Sequence, residues 1–167
     1  ISYSVKDWSQ LIEMNLREIQ VTKDLETKAR LYYRTGEIYE KFSGDNAKAM
    51  ECYRDALDAQ PSHLPAVRAL GRIAATCQEW GVAVRTLEAE SKLVTDPSKS
   101  SSLLLRAAEI YETHLGDNKR AIQVCQSLLS TQMSGPAVRA LERLLRLEGR
   151  WPELVDLLKH VAENASP

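Results

Sequence analysis

The residue types best placed to do chemistry in this 167-residue sequence are its arginines. Eight of them, Arg30, Arg34, Arg68, Arg72, Arg106, Arg139, Arg143 and Arg146, fall in four stretches of helical pattern. Arg30/Arg34, Arg68/Arg72 and Arg139/Arg143 are pairs at i and i+4, which places both guanidinium groups on one face of a helix. Planar guanidinium forks bind carboxylates in bidentate fashion, so the chemistry offered is recognition of an acidic surface rather than bond making. Two acidic pairs, Glu37/Glu40 and Glu109/Glu112, recur in register in the same kind of stretch. A carboxylate pair could serve as acid and base, but recurrence in register marks these as architecture. Two readings of the arginines stand side by side. Either they grip an acidic partner, or they pair with these glutamates and with neighbouring helices as a solvated ladder.

No other constellation competes. His63, His114 and His160 stand alone, with no HExxH and no second histidine at helical spacing. His63 reads as a helix-start residue and His114 as a helix-end residue, where positive charge suits the dipole. Glycine-rich phosphate loops and GxSxG elbows are absent from the sequence. Cys52, Cys77 and Cys125 are odd in number and lack CxxC spacing, so they signal neither a disulfide framework nor a zinc site. Lying on apolar stripes, all three read as core residues. The expectation is a non-catalytic chain with no cofactor and no metal. A net charge of -1 lacks the footprint of a nucleic-acid binder. No apolar run approaches the ~20 residues that would insert into a membrane. The cysteine usage points to a reducing compartment, the cytoplasm.

The elements that must position the arginines are set by an internal repeat. Residues 36–57 and 108–129 share 9 identities in 22 positions, among them Glu-Ile-Tyr-Glu and Gly-Asp-Asn. Trp8, Trp80 and Trp151 stand at intervals equal to within one position, and the first interval is also the offset between those two segments. Each tryptophan opens a stretch with apolar or small residues at i+3 and i+4, and after Trp80 and Trp151 at i+7 as well. Recurrence favours packing over partner contact for all three. The segment Ala-Val-Arg-Ala-Leu appears at 66–70 and again at 137–141. Halving the period yields helix pairs of about 36 residues. Helices are expected at 6–22, 25–42, 46–60, 63–78, 81–94, 99–114, 118–131, 135–148 and 152–164. Gly44 and Gly116 can end a helix in the left-handed conformation, and Asp45 and Asp117 can cap the next one. A tight turn is expected at Glu79 to Gly81.

These pairs resemble tetratricopeptide repeats. In the first pair Tyr32, Gly36, Tyr39, Ala49, Tyr53, Ala56 and Pro61 fit the pattern if one residue is inserted at the Gly44 turn. Ala108, Tyr111, Ala121, Cys125 and Leu128 follow it in the third. The second keeps Leu70-Gly71, Ala83 and Leu87 with Ala74 in place of Tyr, and the fourth has Glu142 at the small-residue position. The resemblance implies an all-α, right-handed α-solenoid: an orphan second helix over 1–24, then repeats over 25–61, 62–97, 98–133 and 134–167. The chain opens at Ile1 rather than Met, and we expect the array to continue before it.

The family resemblance further implies a protein-interaction scaffold or adaptor that binds a partner peptide or domain on a concave groove. Aligned on the family pattern, Arg30, Tyr33, Arg34, Glu37, Glu40, Arg68, Arg72, Arg106, Glu109, Glu112, Arg139 and Arg143 would line that groove. The expected partner is a protein or peptide of acidic character. The family's two-carboxylate clamp of Lys and Asn is not reproduced, since arginines occupy those positions. Two alternatives remain: a regulatory or substrate-recruiting region of a larger enzyme, and a spacer that self-associates through its terminal repeats.

Overall fold

Five of the helix starts are written in the side chain that precedes them. In the computed structural model, which describes residues 5–131 and 134–164, the orphan N–H groups of five helices are met by a capping side chain. Asp24 accepts from the Thr27 N–H at 3.0 Å, Asp45 from Lys48 at 3.0 Å, and Asp117 from Arg120 at 3.0 Å. Asp96 accepts from Ser98 at 3.0 Å, and His63 Nδ1 from Ala66 at 3.2 Å. The helices are α1 (Val5–Val21), α2 (Leu25–Ile38), α3 (Asn46–Ala59), α4 (Leu64–Thr76), α5 (Trp80–Leu93), α6 (Pro97–Thr113), α7 (Asn118–Ser127), α8 (Ser134–Leu147) and α9 (Trp151–Asn164). The described residues are therefore all-α, with short turns between successive helices. The outer limits expected at 1 and 167, and the end of the third repeat at 133, lie outside the described residues.

The turns repeat with the period of the sequence. Gly44 and Gly116 both sit at φ 63°, where a Cβ would be strained, and the following aspartate N–H reaches back to Tyr39 O (3.1 Å) or Tyr111 O (2.8 Å). Between α2 and Gly44 the chain makes a π-helical turn, Tyr39–Ser43. That wider turn absorbs the extra residue which the repeat pattern required there. The other turn type occurs at Gln78, φ 60°, and again one sequence period later at Gly149, φ 66°. At both, the N–H of the next residue bonds to the carbonyl at i−5: Arg150 to Leu145 O at 2.9 Å, Glu79 to Ala74 O at 2.8 Å. The reversal before α5 therefore centres on Gln78, not on the expected Glu79 to Gly81, and Gly81 is helical. α7 also stops earlier than expected. Leu128, Leu129 and Thr131 bond to carbonyls at i−3 rather than i−4, and the hydroxyls of Ser127 and Thr131 take carbonyls of the last turn.

The chain divides between Thr86 and Leu87 into two units. In the first, α1 packs on α2, α2 on α3 and α3 on α4. Tyr53 of α3 is wholly buried and its ring lies across Gly36 of α2, where an added Cβ would come within 2.6 Å of it. Asn15 of α1 donates to the buried Thr35 hydroxyl at 3.3 Å, and Thr35 in turn donates to Leu31 O at 2.9 Å. In the second unit α6 packs on α7, α7 on α8 and α8 on α9, around Ala108, Ile122, Cys125, Leu128, Leu141 and Leu144. The two cores solve one packing problem with different volumes. Where the first has Gly36, Tyr53 and Ala56, the second has Ala108, Cys125 and Leu128 at the matching places of the repeat, so a methyl and a larger aliphatic chain fill the space left by the missing ring.

Cys52 and Cys125 are buried as expected, and burial pushes each thiol up to about 11, which keeps it protonated and inert. Cys77 is a correction: it caps α4 after the helix has ended and is exposed, because the turn at Gln78 directs it outward. The tryptophans also separate. Trp8 stacks on Phe42 with centroids 3.6 Å apart and Trp80 is half-buried, but Trp151 is exposed. His63 and His114 occupy helix ends as expected, and His160 is on the surface.

Two stability measurements follow from these contacts. Gly36→Ala forces a methyl against a ring that has nowhere to go and should lower the unfolding free energy by about 1–3 kcal/mol in urea titration. Gln78→Gly relieves a left-handed non-glycine residue and should raise it by about 1 kcal/mol. No gain from the glycine would show that the turn carries no strain.

Candidate functional site

The arginines act first on their own chain. In the first unit Arg72 of α4 reaches across to Glu40, in the π-helical turn that extends α2. Its two terminal nitrogens bind the two carboxylate oxygens, Nη1 to Oε1 and Nη2 to Oε2, the latter at 2.9 Å. Tyr53 completes the group: its hydroxyl donates to Glu40 Oε2 at 2.8 Å. The carboxylate thus takes three hydrogen bonds, from the core beneath and from the neighbouring pair beside it. Arg72 holds the Glu40 carboxyl below its ordinary 4.5; burial opposes that shift, and the tyrosine hydroxyl adds to it. Tyr53 has its own ionisation pushed up, first by burial and then by its bond to that carboxylate.

The second unit repeats the device. Arg143 of α8 binds Glu112 of α6 through Nε (3.1 Å) and Nη2 (2.5 Å). Glu112 and Arg143 are the counterparts of Glu40 and Arg72 one sequence period on. Both carboxylate side chains are well covered, 15% and 19% exposed, while both arginines stay largely in solvent. At the place of Tyr53 stands Cys125, so the second bridge lacks the hydroxyl beneath it. Each bridge joins the first helix of one pair to the first helix of the next. For Arg72 and Arg143 the ladder reading therefore describes the geometry.

The remaining residues expected at the groove distribute as follows. Arg30 and Arg34 are exposed on α2, and Tyr33 beside them is half-buried, its ring centroid 5.6 Å from Tyr53 and 5.4 Å from His63. Glu37 pairs with Lys41 at 2.8 Å, one turn on. Arg68 is exposed on α4. In the second unit Arg106 and Glu109 are exposed on α6, and Glu109, Glu112 and Arg143 line a crevice of about 210 Å³ against α8. Arg139, one helical turn before Arg143, opens onto a different hollow of about 890 Å³, with Leu129, Gly135, His160 and Val161. Arg146 is held by Glu142 at 2.6 Å. Two contributors escaped the sequence reading. Tyr53 fits the repeat pattern, and as a buried tyrosine it also needs a partner for its hydroxyl, which Glu40 supplies. Lys41, at i+4 from Glu37, carried the helical ion-pair spacing in plain view.

Among the described residues no cluster of three or more His, Cys, Asp or Glu could hold a metal, and no helix is long and apolar enough to cross a membrane.

The class that helix pairs, glycine approach and inter-pair bridges define is that of helical repeat proteins. More narrowly, the chain carries tetratricopeptide repeats: residues 29–63 and 102–132 each match the tetratricopeptide repeat, spanning α2 to α3 and α6 to α7. No curated protein sequence matches the chain. Solved structures that share the fold include a putative kinesin light chain of Podosopora anserina with nearly identical TPR-like repeats, 16% identical, TM-score 0.54, over 95% of this chain and 85% of that one. MamA of AMB-1 is 17% identical, TM-score 0.52, over 98% and 96%. YrrB, a TPR protein with an unusual peptide-binding site, is 17% identical, TM-score 0.50, over 92% and 76%. At these identities the likeness is one of fold.

The two bridges make separable stability predictions. Arg72→Met and Arg143→Met should each cost about 1 kcal/mol, the upper range for a partly exposed ion pair. Glu40→Ala should cost about 2 kcal/mol because the Tyr53 hydroxyl also loses its acceptor, whereas Glu112→Ala should cost no more than Arg143→Met. The pH dependence has a definite sign. Glu40 titrates lower in the folded state, so its contribution is complete above the ordinary 4.5 and is lost as pH falls through the folded value. Urea midpoints at neutral pH and at acid pH should converge in Glu40→Gln relative to the parent; equal losses in both proteins would remove Glu40 from the account.

Proposed function

We propose that this chain is a non-catalytic protein-interaction module whose first two repeats receive an acidic peptide across α2 and α4. The observation that carries this is the pair Arg30 and Arg34: two exposed guanidinium groups on one helical face, next to the half-buried ring of Tyr33. Such a surface offers charge-assisted, planar hydrogen bonding with an aromatic platform at low conformational cost. Arg72 plays a different part. Held by Glu40, it forms a fixed wall, and its reversal to glutamate would set two carboxylates against each other and disturb the fold. The repeats are organised as pairs over 25–61, 62–97, 98–133 and 134–167. Support by likeness comes from the family, whose repeats are interaction modules, and from YrrB, which carries a peptide-binding site.

Fluorescence anisotropy with a labelled Glu-rich peptide tests the reading. Arg30→Glu with Arg34→Glu should weaken binding by more than about tenfold, with circular dichroism unchanged. Binding by the parent should also fall steeply with added salt. Undiminished binding by the double variant would move the ligand to another surface.

A further inference from the structure

The first unit shows what occupies a place that the second unit leaves open. Around Tyr53 stand Gly36, under its ring, the Tyr33 ring with its centroid 5.6 Å away, and Glu40, which accepts from its hydroxyl at 2.8 Å. One sequence period on, the same four places carry Cys125, Ala108, Leu105 and Glu112. Ala108 and Leu128 make up the lost volume toward the core. On the outer side, where Tyr53 runs up to Glu40, a crevice of about 210 Å³ remains between α6 and α8. Leu105, Ala108, Glu112 and Cys125 all line it, joined by Leu144 and Arg143 from α8.

The size and chemistry of that crevice are those of a phenol. An apolar cavity of about 150 Å³ in a protein holds benzene, so the space admits one aromatic ring. Its floor is apolar, since Ala108, Cys125 and Leu144 are buried. Its polar end is a single acceptor. Glu40 takes three hydrogen bonds, two from Arg72 and one from Tyr53, whereas among the described residues Glu112 takes its bonds from Arg143 alone. The third donor is the one that is missing. Glu112 is already matched in charge by Arg143, so a neutral hydroxyl suits it, and a ring bearing phosphate or carboxylate would set a second negative charge against it. Arg143 is 64% exposed at the mouth, which leaves the crevice reachable from solvent.

We propose that the crevice between α6 and α8 receives the tyrosine side chain of a partner peptide, its ring on Ala108 and Cys125 and its hydroxyl donating to Glu112. The occupant is borne by a peptide, as the phenol in the first unit is borne by a chain. The site uses neither Arg30 nor Arg34 and needs no acidic ligand, so its failure leaves the acidic-peptide reading untouched, and the reverse also holds.

NMR of the methyl-labelled protein, titrated with the uncharged peptide acetyl-Gly-Tyr-Gly-amide, tests it. The methyl signals of Ala108, Ala140 and Leu144 should shift and saturate. The peptide with Phe for Tyr should bind several-fold more weakly, and the phosphotyrosine peptide should leave these signals in place. Glu112→Ala should bring the Tyr and Phe peptides to equal affinity. Ala108→Gly, Cys125→Tyr and Leu128→Ala together install the first-repeat set, and the internal ring should abolish peptide binding with helicity unchanged. Absence of saturable shifts with the Tyr peptide overturns the proposal. Equal binding of the Tyr and Phe peptides by the parent overturns it as well. So does binding of p-cresol without binding of the peptide, which would make the crevice a site for a free small phenol.

Discussion

A tyrosine ring lying where a glycine has no side chain is the contact on which the first repeat depends. Gly36 lets α3 come close enough to α2 for Tyr53 to be wholly buried. The burial is tolerable because the hydroxyl at the far end of the ring finds Glu40 at 2.8 Å. Glu40, fixed from below, then presents both oxygens to Arg72 of the next pair. Apolar packing within one pair and charge pairing between pairs are thus a single connected structure, running from backbone to core to surface.

The second unit shows which parts of that structure are general. Its bridge, Arg143 on Glu112, survives without the tyrosine, and its core closes with Ala108, Cys125 and Leu128. What is kept is the inter-pair ion pair and the summed core volume; what varies is the individual side chain. Repeat proteins gain stability from nearest-neighbour interfaces, so a bridge that recurs with the sequence period is a natural element to retain. The binding surface proposed for the first repeats uses arginines that are exposed beside that frame. That separates Arg30 and Arg34, which are exposed on α2, from Arg72 and Arg143, which hold the frame together.

The sequence by itself determined much of this. The spacing of Trp8, Trp80 and Trp151, the echo of Glu-Ile-Tyr-Glu, and the Gly-Asp turns were enough to divide the chain into helix pairs, because amphipathic period and capping chemistry are local. Cap residues such as Asp45, Asp117 and His63 act on an N–H at i+3, so no distant partner needs to be known. Even the need for one extra residue near Gly44 could be read from the register of the repeat.

Only the tertiary structure decided how the arginines divide their work. Sequence placed Arg72 and Glu40 on adjacent first helices but could not say that they meet, since they are far apart along the chain and the meeting depends on how closely two helices approach. It could not distinguish Trp8, stacked on Phe42, from Trp151, left in solvent, because both open the same pattern and differ only in what lies beside them. Nor could it place the reversal at Gln78, where neighbouring helices hold an ordinary residue in a backbone conformation that its own propensity disfavours. In each case the deciding quantity is the distance between elements, and that distance is set by small residues such as Gly36 whose effect falls on a different helix.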